Sequence, residues 1–462
     1  INVRRLTVMT FLGAGMLSSI SAQISPLQVD TLKETKIPDQ WDLQSCIDYA
    51  KEQNITIRKN RITAASTQID VKTAKAAMFP SLSFSTSQQV VNRPYQETSS
   101  RVSGSEIISS NSKTSYNGNY GLNASWTLYN GNKRLKTIQQ EKLNNQMAEL
   151  DVATSENNIQ ESIAQVYIQI LYAAESVKVN ENTLQVSIAQ RDRGQELLNA
   201  GSIAKSDLAQ LEAQVSTDRY QLVTAQATLE DYKLQLKQLL ELDGENEMNI
   251  YLPALSDENV LAPLPTKRDV YISALSLRPE IEASKLNVEA SELGINIAKS
   301  SYFPTISLSA GIGTNHTSGS DFTFGEQVKN GWNNSIGLSV SVPIFNNRQT
   351  KSAVQKAKLQ YETSMLSLLD EQKALYKTIE SLWLDANSAQ QRYAAANEKL
   401  KSTQISYELI SEQFNLGMKN TVELLTEKNN LLQAQQEQLQ AKYMAILNTQ
   451  LLKFYQGDQL AL

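Results

Sequence analysis

Cysteine and histidine are almost missing: Cys46 and His316 are the only ones in 462 residues. One cysteine excludes a disulfide framework, and neither residue has the company a zinc site requires. Ten prolines, at 26, 38, 80, 94, 253, 263, 265, 279, 304 and 343, leave 95–252 and 344–462 free of proline. Aromatics are 7% of the chain and mean hydropathy is negative, so little material remains for a packed globular core. The formal charge is −5 with no basic stripe, so nucleic acid is not an expected partner. No Gly-rich phosphate loop, metal cluster, or Ser or Cys with a histidine base is present, so neither an enzyme nor a cofactor is expected. Cys46 reads as a small apolar residue on a helix face. His316 reads as a solvated loop residue.

Long hydrophobic runs are also scarce. The one exception, Leu6 to Ile20, follows Arg4-Arg5 and closes on Ser21-Ala22-Gln23. That is the form of a secretory signal peptide over 1–22, cut after Ala22. Its apolar core of about 15 residues falls short of the roughly 20 a spanning helix needs. No cysteine closes it, so a lipidated N-terminus is not expected. Residues 23–41 are polar and proline-flanked, an extended lead.

What is present is periodicity of two kinds. Tyr120, Leu122, Ala124, Trp126 and Leu128 alternate with Gly121, Asn123, Ser125 and Thr127, a two-faced strand over 119–129. After Asn130-Gly131-Asn132 a helical pattern runs over 131–200 without proline. At 1.5 Å per residue such a helix is about 100 Å long. It stops at Gly201, a glycine stop signal, and a second helix covers 206–243. Upstream, a helical pattern holds from Asp42 to Met78, ends at Phe79-Pro80, and gives way to a strand over 80–91. A Ser/Asn-rich exposed loop is expected over 92–118. Residues 244–266, with Pro253, Pro263 and Pro265, form a connector, and 458–462 a tail.

The plan of 42–243 then recurs in 267–457. Ala74-Lys75 and Phe79-Pro80 return 224 positions later as Ala298-Lys299 and Phe303-Pro304. Beyond the loop the offset becomes 216 and stays there: Gly121, Asn130, Lys142, Leu184, Gly201 and Leu236 return as Gly337, Asn346, Lys358, Leu400, Gly417 and Leu452. The second half is expected to hold a helix, strands at 304–314 and 333–345, a long helix over 347–415, and a helix over 421–457. From Tyr361 to Phe414 a seam spaced four and three places Leu375, Ile379, Ala386, Tyr393 and Leu400 on one line, a repeat that imposes left-handed supercoiling on a neighbour. Its small and polar members, Ala386, Ala389, Ala396, Gln372 and Thr403, favour a partner packed side by side in a wall.

Two-faced strands of roughly 9 to 11 residues suit a membrane barrel, lipid on one face and water on the other. Four strands cannot close one, since single-chain barrels start at about eight. Open edges in lipid leave backbone groups unsatisfied at several kcal/mol each. The chain is therefore expected to oligomerise cyclically; two copies give eight strands and three give twelve, and a water-filled bore favours the larger. An amphipathic hairpin covering a soluble core is the competing reading.

The Phe-Pro strand starts at Pro80 and Pro304, Leu128-Tyr129-Asn130-Gly131-Asn132 with its partner Pro343-Ile344-Phe345-Asn346-Asn347-Arg348, and Arg278-Pro279-Glu280-Ile281 resemble the TolC family of outer-membrane efflux proteins, over nearly all of 42–457. The resemblance implies a mixed α/β membrane protein with an internal twofold repeat. It would be a homotrimer: a twelve-strand β-barrel, four strands per chain, continuous with a long α-helical barrel and girdled by a belt at 243–270 and the C-terminal end. It implies a passive duct from the outer membrane through the periplasm, meeting a periplasmic membrane-fusion adaptor and an inner-membrane pump of RND, ABC or MFS type. It implies adaptor contacts at the tips (Gly201, Ser202, Leu416, Gly417 and Met418) and a gate at Ser206 and Asp207 on one side and Lys419 on the other. Glu423 matches one position of an acidic ring. The second acidic position falls on Thr426, which weakens any cation-binding ring. Asp207 and Glu423 also suit first helical turns, where acids favour the helix dipole, and Asn420 with Glu423 has capping-box spacing. Drug efflux, metal efflux and protein secretion remain open within this scaffold, and a structural coiled-coil envelope protein without a channel is the rival outside it.

Overall fold

The computed structural model describes residues 38–95, 99–103, 106–110, 113–243, 248–253, 260–318, 320 and 322–460. The signal-peptide expectation lies outside the described residues. Helices α1 (Leu43–Gln53) and α2 (Ile55–Ala76) lead into β1 (Ser81–Asn92). A small hairpin, β2 (Ser99–Ser103) and β3 (Glu106–Ser110), precedes β4 (Thr114–Asn130), which enters α3 (Lys133–Asn199) and α4 (Lys205–Leu239). The second pass is α5 (Lys267–Leu277), α6 (Pro279–Ser300), β5 (Thr305–Thr317), α7 (Phe324–Asn330), β6 (Asn333–Ser341), α8 (Gln349–Asn415) and α9 (Thr421–Gln456).

The repeat governs backbone geometry residue by residue. α5 and α6 begin and end 224 positions after α1 and α2, while α3 and α8 are both 67 residues long and 216 positions apart. Left-handed residues recur at the same offset even where the side chain changes: Gly131 and Asn347, Asn132 and Arg348, Gly201 and Gly417, Glu241 and Gly457. At the entrance to each long helix an asparagine reaches one turn forward. Asn130 accepts from the Arg134 N–H, and Asn346 donates to the Thr350 hydroxyl.

Several sequence expectations need correction. The helix expected over 42–78 breaks at Asn54, whose side chain accepts from the N–H groups of Thr56 and Ile57 and starts α2 afresh. The matching break at Arg278 is set by Pro279 in the first turn of α6, where a missing N–H costs nothing. The loop expected over 92–118 contains the β2–β3 hairpin and the first residues of β4. β6 ends at Ser341, short of 345, because Pro343 has no N–H for the ladder. α7 was not expected. His316 is not a solvated loop residue: it lies in β5 and is 8% exposed.

The core lies at the waist, where the short helices meet the long ones. Cys46 and Ile163 pack in one cluster and their repeat counterparts Val270 and Ile379 in another. Cys46 is wholly buried among apolar side chains, and burial pushes its thiol up to about 12, so it fills space as valine does in the other half. Trp41 joins the waist through a parallel bridge to Ile250. Arg278, buried, pairs with Glu161 at 2.5 Å and lies 3.8 Å from the Tyr455 ring centroid.

Candidate functional site

The sheet is ordered β1-β4-β5-β6, every pair antiparallel. Its register aligns Phe84, Leu122 and Ile312 in one row and Leu82, Ala124, Ala310 and Ile336 in the next. These side chains share a face, and in the protomer Phe84, Leu82 and Ile336 are exposed. The other face carries Ser83, Asn123, Gly311 and Ser335, then Ser85, Gly121, Gly313 and Asn333. Its polar groups bond to each other, as between the Ser81 and Ser125 hydroxyls at 2.8 Å. One wall thus has a mainly apolar side, interrupted at Asn334 opposite Ile312, and a hydroxyl- and amide-lined side. β1 and β6 are the open edges, and they run in opposite directions, so β6 of one copy can pair antiparallel with β1 of the next.

Below the sheet, α3 packs against α2, α6 and α4, and α8 against α6 and α9. The seam from Tyr361 to Phe414 supplies the buried line of α8, including Leu375, Ile379, Ala386 and Tyr393. No described helix is long and apolar enough to cross a membrane.

The two hairpin turns have the same build. The Ser202 N–H donates to Leu197 O at 2.8 Å and the Met418 N–H to Gln413 O at 2.8 Å, each closing a Schellman motif around a left-handed glycine. A side chain at Gly201 (φ +75) or Gly417 (φ +76) would meet nothing within 4 Å, so glycine is required there for its backbone alone. Gly417→Ala is expected to cost about 1–2 kcal/mol, seen as faster hydrogen exchange in the last turn of α8. The tips differ in surface: Leu416 and Met418 project from one, while Ala200 and Ser202 leave the other without apolar bulk.

Asp207 is the third residue of α4, and its carboxylate accepts from the Ala204 N–H at 3.0 Å; Ser206 beside it is exposed. Asn420 and Glu423 cap α9 reciprocally, and Lys419 Nζ lies 2.6 Å from Glu423 Oε1. The Lys419 hydrogen bond, then the Asn420 N–H, holds the Glu423 carboxyl below its ordinary value of 4.5. Lys419 and Glu423 are therefore together within one protomer, whereas Asp207 and Lys419 are not paired within it.

One cluster was not foreseen. The Lys428 ammonium of α9 binds the Asp218 carboxylate of α4 and the Ser187 hydroxyl of α3, and Ser187 also donates to Asp218. Lys428 is 3% exposed and Asp218 1%. Gln214 completes the carboxylate's partners at 2.9 Å. The signal lay in the seams. Asp218 continues Leu208, Leu211 and Val215 at helical spacing, and Lys428 falls between Leu424 and Leu431, each a charge on an apolar line. Among the described residues no group of three or more His, Cys, Asp and Glu side chains could hold a metal ion.

The family model described as "Outer membrane efflux protein" matches residues 46–241 and 270–457. The outer membrane efflux protein BepC of Brucella suis is 24% identical over 294 residues, covering 63% of this chain and 61% of that protein. The outer membrane protein TolC of Escherichia coli is 24% identical over 294 residues, covering 62% of this chain and 58% of that one. The match thus spans less than two thirds of either relative's length. A crystal structure of CusC shares the fold at a TM-score of 0.76, with 19% identity, covering 90% of this chain and 92% of that one.

Proposed function

Since the chain belongs to the outer membrane efflux protein family, we propose that it is the passive exit duct of a tripartite export system. Three copies close a twelve-strand barrel in the outer membrane, and their long helices carry the bore through the periplasm. The observation that carries this reading is the sheet: a lipid-compatible face, a hydrophilic face, and two open edges of opposite direction, mounted on 67-residue helices that no compact core explains. Each closed seam satisfies a row of backbone groups that would otherwise cost several kcal/mol apiece in lipid. The chemistry needed is conduction, with energy and selectivity supplied by an inner-membrane pump and a periplasmic adaptor. The twin glycine turns are the adaptor's contact, with Leu416 and Met418 its apolar purchase.

The gate lies at the same end. Asp207 and Lys419 are not paired within the protomer, and we place the link between them at the contact of neighbouring copies. Such charge pairs hold a closed state by a few kcal/mol at most, a difference that docking can overcome. The test is single-channel recording in planar bilayers. Asp207→Ala and Lys419→Ala channels are expected to open more often than wild type, and unchanged openings would count against the gate. Absence of any conductance from reconstituted wild-type protein would end the duct proposal itself.

The tip should also respond to acid with a definite sign. Glu423 is held below 4.5 in the folded tip, so its contribution is present above that pH and is lost as pH falls through the depressed value. The start of α9 is expected to fray below pH 4.5, seen as faster hydrogen exchange there, and Glu423→Gln protein to exchange faster already at neutral pH and to change less over the same window.

A further inference from the structure

Beyond the barrel lies α7, a seven-residue helix between β5 and β6 at the end of the sheet remote from the long helices. Thr314 Oγ1 donates to Val328 O at 2.7 Å, and the Phe324 ring stands edge-on to His316 at 5.1 Å between centroids. Thr314 and His316 continue the parity of Leu308, Ala310 and Ile312, so α7 is docked on the apolar side of the wall. It does not hang over the hydrophilic side that would line the bore. The docking is close. Thr317 N–H donates to Gln327 Oε1 at 2.8 Å. His316 is sealed beneath, beside Tyr116 and Tyr120, with neither ring nitrogen hydrogen-bonded. It fits only because its partner across the ladder is Gly118, where a Cβ would strike the imidazole at 2.1 Å.

The segment is aromatic and only partly covered. Phe322, Phe324 and Trp332 are each about half exposed, with Trp332 at 57%. Depth says what covers them. Ile306, paired with Val340, extends the apolar face toward the helices, with Trp126 and Leu308 one row inside it. Ten residues separate Ile306 from His316, about 33 Å along a strand. A strand tilt of about 40° reduces that to about 25 Å along the membrane normal, matching the ~25 Å apolar band of outer-membrane barrels, whose two edges carry aromatic girdles.

We infer that the segment from Phe322 to Trp332 is a membrane-interface foot: α7 clasps the outside of the barrel and sets Phe322, Phe324 and Trp332 into the boundary between headgroups and acyl chains of the outer leaflet. This rests on the barrel reading above. Ring faces suit that boundary because they bury apolar area while tolerating nearby water. The foot would fix barrel depth on the external side, and the wall itself would stay clear of the bore.

Depth measurement by nitroxide labels tests the inference. Cys46 is wholly buried, so Trp332→Cys, Phe322→Cys and Trp126→Cys proteins, each reconstituted in phosphatidylcholine vesicles, take the label at the new site; Cys46→Ala supplies a clean background. The labels at 332 and 322 are expected to collide several-fold more often with oxygen than with a water-soluble nickel chelate, matching the label at 126. Labels at 332 and 322 that favour nickel while 126 favours oxygen overturn the foot and leave the barrel standing. Labels at 332 and 322 immobile and shielded from both reagents also overturn it, showing that a neighbouring copy covers the rings. Preference for nickel at all three sites removes the barrel and the foot together.

Discussion

Asp218→Ala is expected to destabilise the protein by about 3–5 kcal/mol, because it strands the Lys428 ammonium in a buried site with no carboxylate. The temperature at which the proposed trimer dissociates on a denaturing gel should fall accordingly. Lys428→Ala does the converse to Asp218. The double variant Asp218→Leu/Lys428→Met should recover most of the loss, since a buried ion pair exchanged for packed apolar groups is often neutral or better. Ser187→Ala removes one hydroxyl from the trio and should cost about 1 kcal/mol. The pH dependence has its own sign. Burial, opposed by Asp218, lowers Lys428 from its ordinary 10.5. A lysine depressed on folding binds more protons when unfolded, so stability rises with pH between the two values. Asp218→Ala removes the opposing carboxylate, widens that interval, and should show a partial alkaline recovery that wild type shows less of. A single variant with wild-type stability would mean that water or a neighbouring copy reaches the ammonium.

Phe84→Arg and Ser85→Arg make the second large contrast. The residues are adjacent in β1 and at the same depth, Phe84 in the row of Leu122 and Ile312, Ser85 opposite Gly121. On the lipid face near mid-bilayer an arginine costs about 2–4 kcal/mol in each chain. Phe84→Arg should therefore deplete folded protein in the outer membrane, read as loss of the heat-modifiable band. Ser85→Arg places its charge in water, should assemble normally, and should shift the channel's cation-to-anion preference toward anions. Equal tolerance at both positions would contradict a two-sided wall.

The strands and rods were legible because each repeats one simple period over many residues. Ile306, Leu308, Ala310 and Ile312 could hardly be anything but one face of a strand, and the seam from Tyr361 to Phe414 could only be one line on a helix. The 216-residue offset then made each half a check on the other. Legibility failed where a local side-chain bond decided the backbone. The Asn54 break comes from its carboxamide capping two N–H groups, which periodicity does not register. His316 was misplaced because the polar Thr314 and Asn315 end the apolar alternation, although hydrogen bonds continue to Thr317. The Lys428–Asp218 pair stood in view as charges on apolar seams, but nothing in one helix tells which other helix will meet it. The proposed tip gate remains beyond one chain's contacts, since the partner of Asp207 would come from another copy.

Equal rod length has a mechanical consequence. α3 and α8 each count 67 residues from a left-handed corner to a left-handed glycine, so the two feet of every copy stop level. Inserting one heptad in α3 alone would drop one foot by about 10 Å and leave the lower rim crenellated, a poor seat for any ring-shaped neighbour. The same insertion in both α3 and α8, matched in α4 and α9, would only lengthen the stilt. On the duct reading, the chain would gauge the gap beneath it, and the duplicated plan would keep that gauge square.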